Sequence, residues 1–527
     1  MAGILRLAAW VPLWLVVVAS GQAGGESYDP APLIRDLQKP ETHAAAVKTL
    51  SGLPVAAMVP LLEAADAIDT PTDTRDEIYT LLKPVFARLR AARAAADDAL
   101  GEKWVKTYLV DAYESAGRKD EKWNGPAEEG LAAPYGVKQF EFLTTAVETG
   151  CADPLVRLEY VSDGLINGRI DVTQVSKHFL PAYQDLQKAD YPPATKALVT
   201  LKMAVLMGSI EWPADYTVSV KFANVFNAAL EWLPAYVSSK PDPRELQALV
   251  AGMYNSAVKL SPDRGAAYDR VFRVVDGVAP DSGWADAIAA RHFEQFAWDE
   301  RGGDTIDQVT PKGMQLFMDL IEESKTRALK AWREDPLNVY SALVMMDDFR
   351  SGAADDEGEQ AWFRRALLAE PGNYSAWNSR AFYYSPQWYG SVEQAIAVGR
   401  EAVEKGTGRD QVPRVLLEVF ANIDRLSGAD GEIFRHEDTW QLVKSVYEKL
   451  LADKSRLVDD RPRYLADRSD YLFSALHAHH WQAFLDLHKT FGDEIDLKRA
   501  GGKDRMAYEL RHATDMLTRA ATQPAEK

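Results

Sequence analysis

The segments "AWREDP" from Ala331 and "ALLAEP" from Ala366 share one plan: an alanine, four residues, then a proline followed by a new helical stretch. Their prolines, Pro336 and Pro371, stand 35 residues apart. A third copy, "AVKLSP" from Ala257, puts Pro262 74 residues before Pro336, close to two such intervals. The small alanine lets two helices approach closely. The proline cannot continue one helix but suits the first turn of the next. A recurrence of about 34 residues is the length of one helical hairpin. Hairpins of that size bury their apolar faces only by stacking on neighbours, so the spacing predicts an all-α helical-hairpin solenoid.

Periodicity elsewhere agrees. Met314, Phe317, Leu320 and Ile321 share one helix face, and Leu442, Val446 and Leu450 share another, whereas alternating strand patterns are sparse. Thr310 before Pro311 reads as an N-cap with a first-turn proline, and Ser391 with Gln394 has capping-box spacing. Apolar residues form 47% of the chain and charged residues 26%, which is the balance of a folded protein rather than a disordered one.

The helix carrying Phe363, Ala366 and Pro371 resembles the end of a tetratricopeptide repeat, and Trp377, Ala381 and Tyr384 resemble the aromatic–small–aromatic pattern of that repeat's first helix. Arg380 stands where the family favours an apolar residue and Gly399 where it favours a bulky one, so the repeats are degenerate and the family's peptide-clamp residues do not transfer. A longer stretch, over residues 290–402, resembles the bacterial family catalogued as domain of unknown function 4034. The match is carried by Ala297, Trp298, Arg301, Gly302, Pro386, Trp388, Gly390 and Ser391. It implies a helical fold and no particular reaction. Residues 34–66 resemble a HEAT-type hairpin, which gives the N-terminal part HEAT-like character.

The expected organisation is a signal peptide over 1–23, an N-terminal helical region over 27–125, helical repeats over 130–290, the tetratricopeptide-like unit over 291–405, and a C-terminal helical region over 406–520. The leader has a single Arg6, an apolar run from Leu7 to Ala19 and small residues after it, the plan of a cleaved secretory signal. An uncleaved anchor is the rival, against which Pro12 and the glycines after it count as helix breakers. The expected location is therefore periplasmic or secreted, with no stable membrane insertion after cleavage. A net charge of −18 repels phosphate backbones and argues against nucleic acid as a partner. Cys151 is the lone cysteine, which excludes an internal disulfide.

Motifs for catalysis do not appear: the chain has no Gly-rich phosphate loop, His-Glu-x-x-His helix or Gly-x-Ser-x-Gly elbow. No cofactor and no metal is expected. His477 and His480, if on one helix, would share a face, but a polar surface beside Trp481 is the reading favoured. Asp355, Asp356 and Glu357 read as a solvated turn. The alternative function is a secreted all-α carbohydrate-active enzyme of the α/α-toroid kind, which would need paired carboxylates in a deep pocket.

The stretch "YYSPQWYGSVEQAI" at 383–396 is the densest aromatic cluster. Trp377, Ala381 and Tyr384 follow four-then-three spacing on one helix stripe, Pro386 stops that helix, Trp388 fills the corner, Gly390 permits a tight turn, and Ser391 caps the next helix. These residues read as a structural joint, in which truncating a buried Trp388 would cost ~3–5 kcal/mol. Asn378 and Phe382 lie off the Trp377 stripe and are the expected groove residues. The expected function is an exported helical-repeat scaffold that binds a protein or peptide partner, with no catalysis.

Overall fold

The computed structural model describes residues 28–522 apart from 68, 134–136, 167–168, 171, 209–217, 239–249, 251, 254–264, 267–268, 274–282, 303–307, 353, 429–430, 493 and 496–501. The leader and the proline joint at 257–262 lie outside the described residues. Every element assigned among the described residues is helical, with no strand. Helices that follow one another in the chain pack on one another, as a helical-repeat plan requires. None of the described helices is long and apolar enough to cross a membrane.

The chain divides into two compact units, Met1–Asp348 and Phe349–Lys527. The first contains α1 (Ala31–Leu37), α2 (Pro40–Ser51), α3 (Val55–Ala65), α4 (Thr72–Val105), α5 (Asp111–Ala116), α6 (Asn124–Ala132) and α7 (Val137–Glu148). It continues through α8 (Pro154–Ile166), α9 (Val172–Lys188), α10 (Pro193–Gly208), α11 (Val218–Ser238), α12 (Gly283–Arg301) and α13 (Pro311–Glu334). Helix α14 (Val339–Ser351) carries the chain into the second unit. There follow α15 (Asp356–Ala369), α16 (Tyr374–Tyr383), α17 (Val392–Lys405), α18 (Val415–Ser427) and α19 (Glu437–Leu451). The last are α20 (Arg456–Asp459), α21 (Arg461–His477), α22 (Trp481–Phe491) and α23 (Lys503–Thr522).

In the first unit Leu143, Leu155, Phe179, Leu201, Phe226 and Tyr236 belong to one buried core. Asp153 starts α8 as a buried cap. Its carboxylate accepts from the Leu155 N–H at 2.9 Å, the Arg118 N–H at 2.8 Å and the Tyr191 hydroxyl at 2.9 Å. A buried carboxylate needs that many donors to offset desolvation. Thr310 caps α13 by accepting from the Gly313 N–H at 3.1 Å, and the face behind it buries Phe317 and Ile321.

The 35-residue interval appears as two joints of one construction. At the end of α13 the Asp335 N–H donates to Ala331 O at 3.0 Å, and the Asn338 N–H donates to Asp335 O at 2.9 Å. At the end of α15 the Glu370 N–H donates to Ala366 O at 2.8 Å, and the Asn373 N–H donates to Glu370 O at 3.1 Å. Both alanines are fully buried.

The second unit has a core of Leu416, Phe420, Val446, Leu450, Tyr464, Leu472 and Phe484. Within it lies a buried charge chain. Arg456 Nη2 donates to Asp467 at 2.8 Å, its Nη1 donates to Leu450 O at 2.7 Å, and Arg414 pairs with the other Asp467 oxygen.

Candidate functional site

The second unit holds an open cleft of about 330 Å³ between α16 and α18, with α17 contributing Ala395. Helix α16 starts where Asn373 Oδ1 accepts the Ala376 N–H at 2.8 Å. It buries Ala376, Trp377, Ser379, Ala381 and Tyr383, which leaves Asn378 and Phe382 half-buried at the cleft, with Ser385 just beyond the helix end. Helix α18 buries Val415, Leu416, Val419 and Phe420. Its cleft-lining row includes Glu418, Asn422 and Arg425, spaced four and then three residues.

The two helices run parallel. Tyr374, at the start of α16, lies near enough to Glu418, near the start of α18, for that carboxylate to help raise its phenol above the usual range, burial being the larger cause. Past the end of α16, Gln387 Oε1 accepts from Arg425 at 3.1 Å near the end of α18. Packing of α17 against α18 is close at Gly399, where a Cβ would stand 2.7 Å from Leu416 Cδ1 and 3.0 Å from its Cα. A glycine at this crossing is what lets α18 approach closely enough to form the cleft wall.

The aromatic joint adjoins this cleft: its Ala381 lines it, and its Trp388 lies beside the cleft residue Phe382. Trp377 is buried edge-on against Phe363, with centroids 4.9 Å apart. Ala381 is buried and Tyr384 half-buried. The fully buried tyrosine is its neighbour Tyr383, whose hydroxyl accepts the Asp355 N–H at 2.9 Å. Helix α16 ends three residues before the exposed Pro386, with Tyr384 as its C-cap. Trp388 is half-buried rather than enclosed. It lies 6.2 Å from Phe382, and the Arg350 guanidinium sits 5.3 Å from the Phe382 centroid and 5.7 Å from that of Trp388. Gly390 meets backbone rather than the indole: a Cβ there would stand 2.1 Å from Tyr384 O. Ser391 caps α17, its Oγ accepting the Gln394 N–H at 3.2 Å.

Arg380 is half-buried and engaged by a carboxylate and two rings. It donates to the buried Glu359 at 2.8 Å and lies 4.4 Å from the Phe363 centroid and 5.2 Å from that of Tyr384. Burial pushes the Glu359 carboxyl up to about 7, against the opposing pull of Arg380. The pair ties α15 to α16.

None of the other candidate groups lines the cleft. His477 ends α21, His479 is left-handed at φ 61°, and His480 precedes α22, so the helix on which the two histidines would share a face is broken between them. His480 stacks on Trp440 at 4.6 Å, and His479 stacks on Trp481 at 4.9 Å. Among the described residues no group of three His, Cys, Asp or Glu is arranged to hold a metal ion. Asp355 caps α15 by accepting the Gly358 N–H at 2.9 Å. Cys151 is buried, and burial raises its thiol to about 11.

Sequence reasoning missed Glu418, Asn422 and Arg425. The signal was present as a polar row on an amphipathic helix, but the row acquires meaning only once α16 and α18 are known to lie side by side. No family model, curated protein or solved structure shows significant similarity to the chain.

Proposed function

We propose that this protein is an exported helical-repeat binding protein of solenoid type, related to the tetratricopeptide-like family of unknown function that residues 290–402 resemble, and that it holds a protein or peptide segment. The observation that supports this most is the cleft, which brings Asn378 and Phe382 together with Glu418, Asn422 and Arg425. Parallel helices of successive hairpins leave such a trough, and an extended chain can lie along it with amide side chains facing its backbone. Glu418 is the single carboxylate among the lining residues, so the paired acids of a glycosidase have no counterpart there.

A display library of random peptides, selected on the full chain, tests the reading. Selection should enrich sequences whose binding falls at least about tenfold in Phe382→Ala and Asn378→Ala. Enriched peptides that bind both variants as well as wild type would place the binding surface elsewhere. Export is tested separately: N-terminal sequencing of mature protein should begin between residues 20 and 27. Recovery of Met1 on membrane-bound chain would contradict cleavage.

A further inference from the structure

The cleft is electrically polarised along its length. Glu418 and Arg425 are both exposed and lie seven residues apart on α18, which sets them about 10 Å apart along the helix axis at 1.5 Å per residue. Asn422 lies between them, and its Oδ1 accepts from Arg425 at 2.6 Å. The facing row on α16 offers Asn378 towards the acidic end and Phe382 in the middle. Ser385 follows towards the basic end; its buried Oγ makes no hydrogen bond among the described residues. The guanidinium is held on the wall by Gln387 as well as by Asn422.

We infer that the cleft selects a peptide segment in the polyproline II conformation carrying a basic and an acidic side chain three residues apart, the basic one against Glu418 and the acidic one against Arg425. This rests on the peptide-binding reading above. A polyproline II chain has three residues per turn and rises about 3.1 Å per residue, so side chains three apart share one face and stand about 9 Å apart, close to the separation of the two wall charges. A like-charged pair at that spacing sets one side chain against its own sign at one end, which complementarity rules disfavour. A single zwitterionic amino acid is too short to reach both ends.

The test uses end-capped hexapeptides of one apolar host sequence bearing Lys-x-x-Glu, Lys-x-x-Lys, Glu-x-x-Glu, or Lys-Glu adjacent, titrated against the full chain. Lys-x-x-Glu should bind about tenfold more tightly than the other three and weaken as salt is raised. Glu418→Gln should lift the penalty on Glu-x-x-Glu, and Arg425→Gln should lift that on Lys-x-x-Lys. Equal affinity for all four peptides would overturn the charge spacing. If those peptides still lose affinity in Phe382→Ala, the groove reading stands without it. Displacement of Lys-x-x-Glu by a free amino acid at similar concentration would instead identify a small-molecule site and overturn the inference. No binding by any of the four, together with a library that yields no Phe382-dependent peptide, would overturn both.

Discussion

Glu359 carries the sharpest single-residue consequence. Its carboxyl is 1% exposed and burial raises its titration to about 7 from an ordinary 4.5, so the folded chain holds this proton more tightly than the unfolded one. Its stabilising contribution is therefore complete below about pH 4.5 and is lost as pH rises through about 7. A shift of that size corresponds to about 2–3 kcal/mol between pH 5 and 8. Glu359→Gln should flatten the fall in melting temperature over that interval, and parallel pH profiles for wild type and variant would contradict it. Trp388 is a second case. The indole is half-buried against Phe382 and Arg350, so Trp388→Ala should cost about 1–2 kcal/mol rather than the loss expected for an enclosed core ring. A chemical denaturation midpoint measures this, and a cost above about 4 kcal/mol would mean the ring is more deeply locked than its exposure indicates.

At the scale of elements, the boundaries that sequence gave most clearly are those with local chemistry. Thr310 and Ser391 cap α13 and α17 through their own side chains, and the Ala331 and Ala366 joints repeat one hydrogen-bond pattern. Such features depend on neighbours a few residues away, and one chain segment shows them. The cleft was half legible. Asn378 and Phe382 could be picked out because they lie off the Trp377 stripe, but their partners on α18 depend on Gly399 and on the parallel pairing of two helices about forty residues apart in sequence. The turn from α16 to α17 is tightly built. Tyr389 N–H donates to Tyr383 O at 3.1 Å and Gly390 N–H donates to Ser385 O at 3.3 Å. Gly390→Ala would press a methyl group onto the Tyr384 carbonyl, which is backbone and cannot swing aside. A loss of about 2–3 kcal/mol is expected, read as a lowered denaturation midpoint. An unchanged midpoint would show that the turn can open without disturbing α17.

At the scale of the whole molecule, the proposal assigns binding to the α16–α18 cleft of the second unit. Blocking that cleft directly is the most economical test, and the chain's cysteine content makes it specific. Cys151 is buried with a raised thiol titration, while Ala421 is an exposed residue of the cleft wall. Ala421→Cys can therefore be labelled with a bulky maleimide under native conditions while Cys151 stays protected. The measurement is the affinity of a library-selected peptide for the labelled and unlabelled variant, taken beside their melting temperatures. The account predicts that labelling abolishes peptide binding with the melting temperature almost unchanged. Undiminished binding by the fully labelled protein would contradict it.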